Sequence, residues 1–304
     1  MPIDAKTPLA PELSVVIASV NGWETLKATL DALDAQPERP RMEIVVVDRI
    51  GGAIRRNIRA RTPEVRLLEV DEPLSIPRLR HRGAISTQGE LVAILEDHTA
   101  VEPGWAHAFL AVREGPWAAI GGAVENGREG LLSRAVFFCE YAPYMRPVVE
   151  GDATDLPGNN IAYKRPHLMK HVRLLEEGRW ESWINDRLRA DGARLRSTNA
   201  AVARHIKTFK LGYFLRQRYH FAKSYAGMRR PDQSRLKRLL YAIGSFALPF
   251  LLTLRVSKTV FAKKRELGWF LVCLPLIFLF FSVGAIGESL GYAFGSGSSL
   301  ERVE

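Results

Sequence analysis

From Leu13 onward the chain sets short, unbroken apolar runs against segments in which apolar residues recur every three or four positions. LSVVIA (13–18) leads into Trp23, Leu26, Leu30 and Leu33 at helical spacing, and EIVVVD (43–48) follows. β-Branched runs without polar alternation mark strands covered on both faces, and strand, helix, strand in this order predicts a parallel sheet. Further strands are expected through VRLLE (65–69) and LVAIL (91–95), with a helix over 78–87 between them. To about residue 98 the pattern is therefore that of a parallel α/β domain. Beyond it the pattern is mixed: AAIGGAV (118–124) and NIAYK (160–164) read as strands, and 180–191 reads as a helix stopped by Gly192.

Past Arg238 the character changes. Residues 239–254 are 16 uncharged positions containing Pro249, and 267–287 are 21 more; roughly 20 apolar residues cross a bilayer. The longer segment is expected to span. The shorter is expected to lie in the interface or only dip, because two crossings would put the four cations of 258–265 away from the cytosol, against the positive-inside bias. The layout expected is an α/β domain over 12–210, a basic amphipathic interfacial region over 211–238, membrane-associated helices over 239–292 and a flexible tail over 293–304.

Charge sharpens this picture. The 304 residues carry 43 Lys and Arg against 33 Asp and Glu, a formal +10, with much of the excess in 204–238 and 258–265, beside the apolar segments. That placement favours membrane lipid headgroups as partner, and no nucleic acid partner is expected. An apolar content of 47% fits a folded chain. Two cysteines, Cys139 and Cys273, make no disulfide framework and fit a reducing compartment. The first dozen residues lack an apolar core, so no secretory leader is expected and the catalytic domain should face the cytoplasm.

Strands of a parallel sheet deliver their C-terminal ends to one crevice, where ligands of such folds bind. The polar residues there are Ser19 and Asn21 after the first strand, Asp48 after the second, and Glu96, Asp97 and His98 after LVAIL. An acidic pair with an imidazole at a strand end suits a divalent metal, Mg²⁺ or Mn²⁺, bridging two phosphates.

With these residues in view the chain resembles the family 2 glycosyltransferases, which have the GT-A (Rossmann-like) fold of nucleotide-diphospho-sugar transferases. The likeness rests on SVVIASVNGWETLKATLDAL with Gln36, on EIVVVD, on LRHRGAISTQGE with Arg80 and Gly83, on LEDHT followed by Pro-Gly-Trp (103–105), on GNNIAYKR (158–165) and on WESWINDRLRADGARL. It spans about residues 12 to 230. It implies a donor site of Ser19, Asn21, Asp48, Arg80, Glu96 and Asp97, with Asp48 toward the nucleotide base. It implies an acceptor side of Trp105, Asn159, Asn160 and Glu181, and a metal held by Asp97, His98 and His205. Glu181 stands where the family has its catalytic Asp and is the general base implied for an inverting transfer. RQRYHFAKSYAG (216–227) resembles the segment that closes over the donor. The commonest family form has Asp in place of His98. A tail of hydrophobic segments is common among bacterial members, and a glycan or lipid-linked acceptor is implied, with the enzyme on the inner (cytoplasmic) membrane and a part in polysaccharide biosynthesis.

Other readings compete. The turn SVNGWE lacks the three-glycine pattern of a dinucleotide site, and no glycine-rich basic loop of a nucleotidyltransferase follows the first strand. A catalytically degenerate, membrane-tethered nucleotide-sugar-binding scaffold would keep the same motifs, with His98 and Glu181 standing in place of Asp.

Overall fold

A computed structural model describes residues 10–61 and 65–304. Most of the segment read for a leader, residues 1–9, lies outside the described residues.

The first half alternates strand and helix: β1 (Leu13–Ser19), α1 (Trp23–Asp34), β2 (Met42–Asp48), α2 (Ala53–Arg61), β3 (Val65–Glu69), α3 (Ile76–Ser86) and β4 (Leu91–Glu96). The chain then becomes mixed, through β5 (Thr99–Val101), α4 (Trp105–Leu110), β6 (Trp117–Asn126), α5 (Leu131–Tyr141), β7 (Gly151–Ala153) and β8 (Asn160–Lys164). Three helices, α6 (Arg165–His171), α7 (Arg173–Glu176) and α8 (Glu181–Ala190), lead to the long β9 (Arg194–His205). Four more helices close the chain: α9 (Leu211–Arg229), α10 (Arg235–Gly244), α11 (Leu248–Lys263) and α12 (Leu267–Phe294).

One sheet runs in the order β3-β2-β1-β4-β8-β6-β9-β5, with β7 on β9. The block β3-β2-β1-β4 is parallel, and β8 joins it antiparallel. Every residue of β1 is buried, Val15 and Ile17 packing toward α1 and Trp105 on one face and Val16 toward α3 and Tyr163 on the other. That is the two-sided covering expected of unbroken β-branched runs. Gly83 lets α3 approach closely, since a Cβ there would lie 2.4 Å from Val16 Cγ1.

The C-terminal helices pack as a unit. Phe214 of α9 meets Phe280 of α12 with ring centroids 4.7 Å apart. Further along, Gly287 and Gly291 of α12 leave no room for a side chain: a Cβ would fall 2.4 Å from the Tyr219 carbonyl oxygen and 2.5 Å from that of Lys223. The rising register shows α9 and α12 running parallel. The segment α10–α11 returns antiparallel along α12, pairing Tyr241 with Tyr292, Phe250 with Phe278 and Phe261 with Phe270.

Two sequence expectations change here. The basic helix of the 211–238 region does not lie loose on a surface, because α9 is held between α12 and α8, where Trp180 stacks near Phe221 and Trp183 near Tyr225. Residues 293–304 are not a flexible tail. The helix α12 runs to Phe294, and the chain then folds back along α9: His220 Nδ1 lies 3.2 Å from Ser299 Oγ, Gln217 Nε2 donates to the Arg302 carbonyl, and the Glu304 N–H donates to Gln217 Oε1.

Candidate active site

The adjacent parallel strands β1 and β4 end side by side, with Ala18 opposite Glu96. Asp97, just past β4, grips the turn after β1. One of its oxygens accepts from the backbone N–H groups of Val20 (2.7 Å) and Asn21 (2.8 Å), and the other lies 2.7 Å from Asn21 Nδ2 and 2.8 Å from His98 Nδ1. Burial alone would raise its pKa, but His98 and these donors hold it below the usual carboxylate range.

His98 therefore turns its other nitrogen, Nε2, toward Glu96, 3.3 Å away. His205 arrives from β9 through the pairing of Thr99 with His205, and its ring meets that of His98 edge-on at 4.9 Å. Ligand atoms of Glu96, His98 and His205 lie within 4.8 Å of one another. Burial opposes charge on both imidazoles. In His98 the neighbouring Glu96 and Asp97 outweigh it and lift the pKa to about 8, whereas His205, repelled by His98, falls to about 3. Glu96 is driven well below its ordinary value, the opposing effect of burial being overcome by His98 and Arg80.

This donor set fits a divalent metal. A ligating histidine ordinarily gives its second N–H to a carboxylate that fixes the ring, and Asp97 takes that part for His98. One carboxylate and two imidazoles suit Mn²⁺ better than Mg²⁺, which prefers an all-oxygen shell. Among the described residues the group placed to hold a metal is Glu96 with His98 and His205, whereas Asp97, expected as a ligand, has its oxygens engaged by the first turn and His98.

Arg80, on α3, is buried and ties this cluster to Glu181. Its Nη1 lies 2.7 Å from Glu181 Oε2 and its Nη2 lies 3.6 Å from Glu96. Burial works against the guanidinium charge, but the two carboxylates raise its pKa overall. Glu181 is the first residue of α8, where a carboxylate meets the positive end of the helix. Its other oxygen, Oε1, is buried with no hydrogen-bond partner.

A cavity of about 300 Å³ opens on Glu96, His98, His205 and Arg80, bounded across from the strand ends by Tyr141 of α5 and by Gln217, Arg218 and Phe221 of α9; Glu181 lies against Arg80 and Gly158, outside this lining. Lys207 also lines it, with Nζ 2.7 Å from the Tyr213 hydroxyl, and Val303 and Glu304 close part of its mouth. Sequence reading did not single out Lys207 or Tyr141, and Arg218 entered it only as part of the 216–227 segment. Lys207 was detectable, two residues after His205; Tyr141 was not, because it reaches Glu96 Oε2 (3.3 Å) from a helix remote in the chain.

The remaining predicted residues divide. Ser19 and Asp48 are fully buried and bonded to each other at 2.8 Å, and Asp48 also accepts from the Gly51 N–H and from Arg55 Nε, so it anchors the turn after β2. Trp105 and Asn160, expected on the acceptor side, lie in the core: Trp105 Nε1 donates to Asn160 Oδ1 (2.8 Å), and Asn160 Nδ2 donates to the carbonyls of Ala123 and Ala201. With no exposed surface and every polar atom paired, the two side chains bolt β8 to β6 and β9. Asn159 differs, for both its amide atoms are buried without partners. Its neighbour Gly158 sits against Glu181, where a Cβ would lie 3.0 Å from Oε2.

Comparison with known proteins agrees with this geometry. No curated protein sequence matches the chain. Among solved structures, the mannosyltransferase PcManGT from Pyrobaculum calidifontis, in complex with GDP-Man and Mn²⁺, is similar with a TM-score of 0.54 and 17% identity, over 94% of this chain and 86% of that one. The family described as Glycosyl transferase family 2 matches residues 14–170, just over half of the 304-residue chain. On that match, with the mixed sheet and the strand-end cluster it carries, the chain belongs to glycosyl transferase family 2 and is a glycosyltransferase of the GT-A fold.

Proposed function

We propose that the chain moves a hexosyl unit from a nucleoside-diphosphate donor to a glycan or lipid-linked acceptor with inversion at the anomeric carbon, assisted by a divalent metal. The observation that carries this reading is the bridge made by Arg80, which joins a carboxylate with a free buried oxygen, Glu181, to a metal-type cluster, Glu96 with His98 and His205. The solved neighbour's complex with GDP-Man and Mn²⁺ supports a donor and a metal of this kind.

In the transfer, the acceptor hydroxyl oxygen bonds to the anomeric carbon as the bond from that carbon to the diphosphate oxygen breaks. The hydroxyl proton passes to Glu181 Oε1, and the electron pair leaves with the nucleoside diphosphate. Arg80 holds Glu181 Oε2, which leaves Oε1 as the unpaired oxygen for the proton. Lys207 adds a buried cation on the donor side, where negative charge grows on the leaving group. Glu96, His98 and His205 would hold the metal, which when bound neutralises diphosphate charge. Asp97 keeps the His98 ring oriented and the first turn closed. Asn21 shapes the donor floor through its bonds to Asp97, and Ser19 and Asp48 through their bond to each other and to the turn after β2, rather than by reaching into the cavity.

The site lies beside the C-terminal apolar helices, which supports a lipid-linked acceptor and a place at the cytoplasmic face of the inner membrane, in polysaccharide biosynthesis. The test is a screen of UDP-, GDP- and dTDP-sugars with the detergent-purified protein, with and without Mn²⁺ or Mg²⁺, reading nucleotide release and product anomer by NMR. Binding of a nucleotide sugar without turnover under every condition would leave a scaffold and refute the transferase. A retained anomeric configuration would refute Glu181 as the base of a single displacement.

A further inference from the structure

The C-terminal helices carry two long apolar segments, Arg235–Lys263 and Leu267–Phe294. Only 22% of the first segment's most apolar window is buried, so it is not the core helix of a soluble domain. Leu240, Phe246, Phe250 and Leu254 of α10–α11 stand exposed together with Val272 and Phe278 of α12, over stretches that hold no charged residue from 239 to 254 or from 267 to 287. Exposed cations mark both ends of this face: Arg235 and Lys237, with Asp232 nearby, at one end, and Arg255, Lys258 and Lys264 at the other. A contiguous apolar face rimmed by cations is complementary to a leaflet with anionic headgroups.

What the ends of the helices touch decides how they sit in that leaflet. A helix of 28 residues is about 42 Å long, enough to cross a hydrocarbon core of roughly 30 Å. Crossing would separate its two ends onto opposite sides. Here the turn before α12 is fastened to the catalytic domain: Lys263 Nζ donates to the carbonyls of Pro143 and Pro147, Arg265 pairs with Glu125 at 2.7 Å, and Glu266 pairs with Arg134 at 2.6 Å. The other end is fastened to the same domain, since Arg49 Nη2 donates to the Val303 carbonyl at 3.5 Å and Lys207 Nζ to that of Glu304 at 3.4 Å, while residues 299–304 also lie on Gln217 and His220 of α9. Between the ends, α12 lies along α5 and then along α9, a helix that carries Arg216, Lys223 and Arg229 and cannot enter hydrocarbon beside it.

We propose that α10, α11 and α12 form a slab that lies in the plane of one leaflet, as a one-sided attachment to a membrane containing anionic lipid, and that neither apolar segment crosses the bilayer. The four cations of 258–265 then stay on the side of the catalytic domain, which removes the conflict with the positive-inside bias that two crossings would create.

The test is sidedness of the full chain in sealed membrane vesicles of both orientations, probed with a membrane-impermeant maleimide. Both native cysteines are buried, so single reporters can be placed at Asp186→Cys on the exposed face of α8, Lys264→Cys at the α11–α12 turn and Ser298→Cys beyond α12. Ala262→Cys serves as a second turn position, because Lys264 has a φ of +53°. The expected result is that all four label in the same vesicle orientation and are protected in the other. Labelling of the turn from the side opposite Asp186→Cys overturns the proposal in favour of a spanning hairpin. Opposite labelling of Ser298→Cys overturns it in favour of a crossing by α12. Recovery of the chain in the soluble fraction as a dimer overturns it by showing a second copy on the apolar face. None of these readouts uses sugar transfer, so they succeed or fail independently of the proposed reaction.

Discussion

Replacing Glu181 by Gln separates the two parts this carboxylate plays. As a general base it is expected to account for about 10²- to 10⁴-fold in rate, or roughly 3 to 5 kcal/mol of barrier. As the buried partner of Arg80 it also contributes to stability. Removing one member of a buried ion pair typically costs about 3–5 kcal/mol. Here Gln keeps an oxygen for Arg80 Nη1, and Glu96 remains 3.6 Å from Nη2, so about 2 kcal/mol is the better figure. In a domain of this size that lowers the Tm by roughly 4–8 °C. The assay is transfer at a temperature well below both melting points, with donor KM measured alongside. Glu181→Gln is expected to lose at least about a hundredfold in kcat with donor KM little changed. A double replacement, Arg80→Met with Glu181→Leu, removes both members of the pair and leaves Glu96 facing His98 at 3.3 Å, and should recover part of the Tm while transfer stays lost. Glu181→Gln that melts early yet transfers within a few-fold of the parent rate would show that the residue only balances Arg80.

Other outcomes follow from the same geometry. His205→Ala is expected to weaken Mn²⁺ binding, read by electron paramagnetic resonance in the absence of donor, by about tenfold or more; unchanged binding would remove His205 from the ligand set. Trp105→Phe leaves Asn160 Oδ1 without its donor and should cost about 1–3 kcal/mol in chemical denaturation while acceptor KM stays constant; a KM change without destabilisation would return Trp105 to the acceptor side. Lys207→Met should raise donor KM by about tenfold, the worth of roughly 1.4 kcal/mol, whereas an effect confined to kcat would place Lys207 away from the ground-state donor. Gly287→Leu drives a side chain into the Tyr219 carbonyl and should lower the Tm by several degrees, and a neutral result would contradict the close packing of α9 on α12.

The sequence made the sheet legible because its strands are short apolar runs: the expected 65–69, 118–124 and 160–164 appear as Val65–Glu69, Trp117–Asn126 and Asn160–Lys164. Sequence reading brought the strand-end residues Glu96 and His98, and by resemblance Arg80, to the lining of one cavity; Glu181 is not among the residues that line it but pairs with Arg80, which is. It failed where a polar residue near a strand end points inward. Asn160 and Trp105 satisfy one another in the core, a pairing between positions 55 residues apart that no local pattern shows. It failed again for α5, whose Tyr141 reaches the cavity from a helix without a polar motif of its own. For α9 the resemblance drew attention to 216–227 but not to the packing that orients it, which rests on Gly287 and Gly291 of α12 within a segment that by composition reads only as hydrophobic.

Two flanks of the helix α9 are occupied. One flank supplies Gln217, Arg218 and Phe221 to the reaction chamber, and the other is pressed against Gly287 and Gly291 of α12 with no clearance for even a methyl group. A fragment trimmed before Leu211, for convenience of handling without detergent, would therefore not be a smaller version of this enzyme. It would be a chamber missing a wall, with Lys207, Tyr141 and the mouth of the cavity left open to water.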